Sequence, residues 1–187
     1  MGRHSRGSCL IHLHLTLNGS TNLSERFLQT ANIVAAFVPV EMQTAANNGD
    51  WVSLTGYDCC VAILFKAAGT AGNDPIFTLK QASDASGTGS KSLNFTTVYS
   101  KVGTQTGLAN FTRAIQAAAT SYTDAVSAEA QAIIAIEIDA ASLDVDGGFT
   151  HIQLSIPDTG TNAQLGAACY LMLDPRHYGT TLPSPIA

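Results

Sequence analysis

The chain has 187 residues, a length that fits one domain. Hydrophobic residues make up 45% of it, charged residues only 12%, and the formal net charge is −5. This acidic balance lacks the basic surface that a phosphate backbone requires, which argues against nucleic-acid binding. The sequence contains no run of 18 apolar residues, so it predicts no transmembrane helix and no membrane partner.

Residues 1–22 predict an N-terminal extension or arm. They start with basic residues and a short apolar stretch, as a signal peptide does, but His12 and His14 interrupt that stretch and no small-x-small cleavage site follows. Residues 11–17 alternate strictly between apolar and polar, which is typical of a half-buried strand. Two histidines on one strand face could bind a metal, but no third ligand is evident, so exposed strand histidines are favoured.

The next segment, residues 23–32, predicts either a short helix capped by Ser24 or an extended hook. From residue 35 onward, β-forming segments alternate with turn signals every eight to twelve residues. Residues 108–131 are ambiguous, with strand favoured in the first half. The predicted strands are AAFVPV, WVSL, YDCCVAILF, IFTLKQA, LNFTTVYSK, IIAIEI, FTHIQLSI and GAACYLML.

Such a series of strands without long intervening helices predicts an all-β fold. We expect a single antiparallel β-sandwich, jelly-roll-like, formed by residues 23–175. The Pro-rich tail, residues 176–187, is expected to be an extended C-terminal arm that matches the N-terminal one.

Adjacent cysteines, Cys59 and Cys60, lie in the predicted strand YDCCVAILF. Successive side chains of a strand point to opposite faces, so the two cannot share a metal without distortion, and a disulfide between neighbours would be strained. Cys9 and Cys169 are isolated, and no C-x-x-C spacing exists. We therefore interpret the cysteines as small buried hydrophobic residues with reduced thiols.

The segment LDVDGG resembles a fragment of a calcium loop. Asp144 and Asp146 would supply two ligands, but the other oxygen ligands of such a loop are missing. A tight turn in which Gly147 and Gly148 adopt positive φ is favoured, with a weak calcium site as the alternative.

No catalytic motif is present either. The serines lack a G-x-S-x-G elbow, and SGTGS lacks the lysine of a phosphate loop. Glu129, Glu137 and Asp139 would form a glycosidase pair only through an accident of folding. We expect a protein that is not an enzyme, with no catalytic residue, no cofactor, no metal and no small-molecule substrate.

Four segments of the chain carry a family resemblance: VPVEMQTAANNGDWVSLTGYDCCVAILFKAAGTAGNDPIFTLKQASDASGTGSKSLNF, YSKVG, SLDVDGGFTHIQLSIPDTGTNAQLG and LPSPIA. With these segments the chain resembles a family of small virion structural proteins of tailed bacteriophages. It is a resemblance of whole-chain pattern from about Leu23 to Ala187, rather than of one motif. It implies a head decoration or cement protein, or a neck component, and it brings no catalytic residues.

The resulting hypothesis is a capsid decoration protein on the virion surface, assembled in the host cytoplasm. We expect a homotrimer that clamps neighbouring subunits of the major capsid protein through its arms. The alternatives are a neck or tail ring component and a carbohydrate-binding module on the virion surface. The candidate contact residues of the arms are Leu13, Leu15, Leu17, Phe27, Arg176, Tyr178, Leu182 and Ile186.

Overall fold

The computed structural model describes residues 27–103, 110–123, 130–177 and 182–186. Its strands form two antiparallel sheets that pack together, which confirms the predicted β-sandwich. In the described part of the chain, no helix is long and apolar enough to cross a membrane. The elements in chain order are α1 (Phe27–Thr30), β1 (Asn32–Glu41), β2 (Asn47–Asn48), β3 (Val52–Ser53), β4 (Tyr57–Lys66), β5 (Ile76–Ala82), β6 (Lys91–Ser92), β7 (Phe95–Val102), β8 (Thr112–Ala119), β9 (Ser121–Thr123), β10 (Ala132–Asp139), a 3₁₀-helix (Ala140–Ser142), β11 (His151–Ile156) and β12 (Leu165–Pro175).

The strand order shows a jelly-roll connection. Sheet A has the order β1-β12-β4-β10-β7-β8, and sheet B has the order β2-β11-β5-β6. The first strand pairs with the last, β2 pairs with β11, β4 with β10, and β5 with β6, so each pair nests inside the one before it. This nesting is the arrangement of a jelly roll. β7 and β8 extend sheet A beyond β10, and β9 adds to β5.

The core lies between the two sheets and follows the period of two expected of strands. On β10, Ile134 and Ile136 are fully buried, and on β11 Ile152 and Leu154 are fully buried opposite them. Tyr170 of β12 links the sheets, because its hydroxyl oxygen accepts the Leu154 N–H at 2.7 Å. Burial raises the pKa of the Tyr170 hydroxyl, which therefore stays neutral.

Within the ambiguous stretch of residues 108–131, the structure shows the two strands β8 and β9. The segment that predicted a helix or a hook contains one helical turn, α1, in which the Ala31 N–H donates to the Phe27 carbonyl at 2.9 Å. The strand favoured for the first half of residues 108–131 is therefore present, whereas Ser24, the predicted cap of the helix in residues 23–32, lies outside the described residues.

The two adjacent cysteines are both buried, and Cys60 faces the core between the sheets. Cys60 and Cys169 carry free thiols, and burial raises the pKa of the Cys169 thiol. Cys59 is disulfide-bonded, so the expectation of reduced thiols is wrong at this position. Because Cys60 is free, the disulfide does not join the two neighbours. A disulfide depends on which residues meet in space, and the spacing of cysteines along the chain does not show this.

Candidate functional site

The candidate contact residues of the arms fall into two groups. Leu13, Leu15, Leu17 and Tyr178 lie outside the described residues, as do His12 and His14. Of the other four, Phe27 opens α1 and is 53% exposed, and Arg176 directly follows β12. Leu182 is half-buried and Ile186 is 52% exposed. Arg176 and residues 182–186 both approach Gly56, just before the start of β4.

The described C-terminal segment, residues 182–186, lies against its own domain. The Ser53 N–H donates to the Pro185 carbonyl at 2.7 Å, and the Tyr57 hydroxyl donates to the Pro183 carbonyl at 2.7 Å. Pro185 is buried. The segment therefore acts as a strap across β3 and the start of β4.

Gly56 and Arg176 make further contacts beside this strap. A Cβ added at Gly56 would lie 2.6 Å from the Pro183 Cβ, so the close approach of the strap requires a glycine there. Arg176 donates its backbone N–H to the Gly56 carbonyl, and its Nε lies 2.7 Å from an Asp58 carboxylate oxygen. This ion pair is exposed on both sides and adds little stability.

The side of sheet A that faces away from sheet B is apolar. Residues 60, 62 and 64 of β4 face the core, so residues 61, 63 and 65 point to the opposite side. The pairing register places alternate residues of β1, β12 and β10 beside them. We call the resulting surface the outer apolar face; it comprises Ile33, Ala35, Val61, Ile63, Phe65, Ile133, Ala135, Leu165, Ala167, Cys169 and Leu171.

Three large side chains of the outer apolar face are exposed: Ile33 by 55%, Phe65 by 45% and Leu165 by 51%. At one end of the face, a groove of about 300 Å³ is lined by Phe65, Ile133 and Leu165 among others. A contiguous exposed apolar patch on a folded protein commonly marks an interaction site. The sequence signal for this face was the unbroken apolar run of β4, which is typical of strands buried on both sides.

A cleft interrupts sheet A on the side of β10 that faces β7. This strand pairs with β4 along all eight of its residues, but with β7 only from Ala132 to Ala135. Beyond that point the β10–β7 ladder stops, and a cavity of about 430 Å³ is lined by residues of both strands. We call this cavity the β7–β10 cleft; its polar lining includes Asn94, Thr97, Tyr99, Arg113, Glu137 and Asp139.

The cleft carries two carboxylates whose ionisation is opposed by their surroundings. Burial raises the pKa of Glu137, and the nearby negative charge of Asp139 raises it further, while Arg113 acts in the opposite direction. Burial also raises the pKa of Asp139. Glu129, the third carboxylate considered from the sequence, lies outside the described residues. The sequence could not have shown this site, because Tyr99 and Arg113 come from two other strands.

The LDVDGG segment forms a turn. Asp144 forms an ion pair with Lys91 and accepts the Gly147 N–H at 3.1 Å, and these two contacts lower the pKa of its carboxyl. Only Gly148 of the two glycines has positive φ, at 79°, so the expectation is wrong for Gly147. At position 147 a larger residue lacks room instead, because a Cβ there would lie 2.5 Å from an Asp144 carboxylate oxygen. Among the described residues, no group of three or more His, Cys, Asp or Glu could hold a metal ion.

No protein-family model and no curated protein matches the chain significantly. Among solved structures, the chain is similar to the crystal structure of the SPBc2 prophage-derived protein YomS. That match has 9% sequence identity and a TM-score of 0.38, and it covers 75% of this chain and 92% of that chain. A likeness of this degree carries no functional argument.

Proposed function

We propose that this chain is a bacteriophage virion structural protein, a capsid decoration protein that binds the major capsid protein on the assembled head. The whole-chain resemblance to small virion proteins supports this role. The structural observation that carries it is the outer apolar face, which spans strands β1, β12, β4 and β10 of sheet A.

The composition of this face suits a permanent partner. Its eleven residues contain no charged side chain, while charged residues elsewhere, such as Glu137, lie at its border. Protein interfaces owe much of their stability to apolar area removed from water, at roughly 25 cal/mol per Å² before the costs of association. A stable interface buries about 800 Å² on each partner, and a surface four strands wide can supply an area of that order.

The mechanism of stabilisation is mass action. A protein that binds the assembled shell and not its separated subunits shifts the equilibrium toward the shell by its own binding free energy. A homotrimer fits this role, because it would match the local three-fold axes of an icosahedral head. The chain is then located on the capsid surface. Native mass spectrometry of the purified protein tests the trimer, and a monomer or dimer would contradict it.

Charged substitutions on the outer apolar face test the proposed contact. Phe65→Glu combined with Leu165→Glu places two carboxylates in the interface, where desolvation makes unpaired charges costly. We expect binding to heads lacking the protein to fall at least about tenfold, as measured by co-sedimentation. Because both side chains are about half exposed, circular dichroism should show an unchanged fold.

The matched control is Val145→Glu, which changes a residue that is 60% exposed and lies outside this face. The control should bind heads as the unchanged protein does. Equal binding by the double variant and the unchanged protein would contradict a role for the outer apolar face.

Copy number separates this proposal from a neck or tail ring component. Quantitative mass spectrometry of purified virions should give a ratio near one copy per major capsid subunit. A ratio of a few per cent would place the protein at a single vertex and would overturn the decoration role.

A further inference from the structure

We propose that the β7–β10 cleft binds a short extended peptide segment with a lysine or arginine side chain, presented by another protein. This inference does not depend on the capsid role. It rests on three properties of the cleft: its volume, the interrupted strand ladder that forms its walls, and its charge.

The volume is that of a ligand site. At about 430 Å³, the cleft falls in the range of roughly 300–1,000 Å³ that is typical of ligand-binding pockets. Phe95 and Ile138 contribute apolar surface to it, and Asn94 and Ser142 contribute polar groups. A few residues of an extended chain are therefore of suitable size.

The walls of the cleft are two strands that no longer pair with each other. On β10, residues 136–139 remain paired with β4 on one side but not with β7 on the other. On β7, residues 95–98 pair with β8 across a register shift between Phe95 and Thr97. Strand edges of this kind accept extended peptides by β-augmentation, in which main-chain hydrogen bonds provide affinity.

The charges of the cleft select a cationic side chain. Two carboxylates, Glu137 and Asp139, face one guanidinium, Arg113, so the polar lining has an excess of one negative charge. The positive charge of Lys101 on β7 is not counted here, because its ammonium lies over the Phe111 ring, 4.6 Å from the ring centre. A lysine or arginine of the ligand supplies the missing positive charge, and the partly buried position strengthens the attraction.

A saccharide is the competing ligand, because its hydroxyls also bond to carboxylates. The interrupted ladder favours the peptide, because residues 136–138 of β10 have no β7 partner and an unpaired strand edge can accept an extended chain. The test below separates the two.

The probe is an acetylated and amidated pentapeptide of valine and threonine with a central lysine. We expect it to cause saturable shifts of backbone amide signals in ¹⁵N-labelled protein, confined to residues 95–99 and 136–139. A matched peptide with central glutamate should cause none. Replacing both carboxylates, by Glu137→Gln and Asp139→Asn, should weaken binding of the lysine peptide at least about tenfold.

The matched control variant is Asp50→Asn with Asp146→Asn, which removes two exposed charges that do not line the cleft and should bind the lysine peptide normally. The proposal is wrong if the lysine peptide causes no saturable shift, if the shifts lie outside the cleft, or if the cleft variant binds it unchanged. Saturable shifts at the same residues with a chito-oligosaccharide, but not with the peptide, would show a sugar site instead.

Discussion

The outer faces of the two sheets are built in opposite ways. On sheet B, the outward side chains of β11 are polar and are bonded within the domain: Gln153 donates to the Gly49 carbonyl at 2.8 Å, and Ser155 donates to the Asn48 side-chain oxygen at 2.6 Å. On sheet A, the outward side chains of β4 and β12 are apolar. The outward polar side chains of β11 are thus satisfied within the domain. The outward apolar side chains of sheet A, in contrast, would be stabilised if a partner covered them.

This contrast separates the residues that hold the fold from those available for binding. A buried polar side chain that satisfies a backbone carbonyl contributes to the stability of the single chain. An exposed apolar side chain contributes little to that stability and much to association. Substitutions on the two faces should therefore affect different measurements.

The largest effect on stability is expected on sheet B. Gln153 is only 9% exposed, and Gln153→Ala leaves the Gly49 carbonyl without this donor. We expect the free energy of unfolding to fall by about 1–3 kcal/mol, as measured by urea denaturation.

The matched substitution on sheet A is Ile33→Ala, at a residue that is 55% exposed. We expect it to cost less than Gln153→Ala does. If the Ile33 variant proved the less stable of the two, the contrast between the faces would fail.

A smaller effect is expected from pH, through the outward histidine of sheet B. Burial lowers the pKa of His151, although the negative charge of Asp84 acts against this shift. The unfolded chain therefore takes up a proton near the ordinary value of 6.5, before the folded chain does. Protonation then favours the unfolded state, so stability is lost as pH falls from about 6.5 toward the lower folded pKa.

The measurement is urea denaturation at several pH values between 7.5 and about 5, with His151→Gln as the variant without this titration. The unchanged protein should lose more stability over this window than the variant. Parallel curves for the two proteins would show that His151 does not contribute.

Much of this architecture is visible in the sequence, because the long strands carry a clear period. FTHIQLSI alternates apolar and polar residues, and in the structure the apolar residues face the core while Gln153 and Ser155 take part in hydrogen bonds. The run CVAILF does not alternate, and this pattern already indicates apolar side chains on both faces of β4.

Other features depend on contacts between residues that are distant in the sequence, and no local pattern reveals these contacts. Strands of two or three residues, such as β2, β3, β6 and β9, are too short to show a period. The strap of residues 182–186 is held by the carbonyls of Pro183 and Pro185, and backbone groups carry no sequence signature. The cleft arises because β7 leaves the β10 ladder after Ala135, which a list of strands cannot predict.

The smallest effect on stability, and the sharpest test of the contrast, is expected from the outer apolar face itself. Ile33→Thr combined with Leu165→Thr keeps side chains that suit a strand but removes exposed apolar surface. The free energy of unfolding should change by less than about 1 kcal/mol, while self-association and the binding of an apolar fluorescent dye should fall. The same dye measured on Gln153→Ala, under conditions where that variant is folded, should give the unchanged signal. If the threonine variant lost stability but kept its dye binding, the outer apolar face would stabilise the single chain, and sheet A would not be the side that binds a partner.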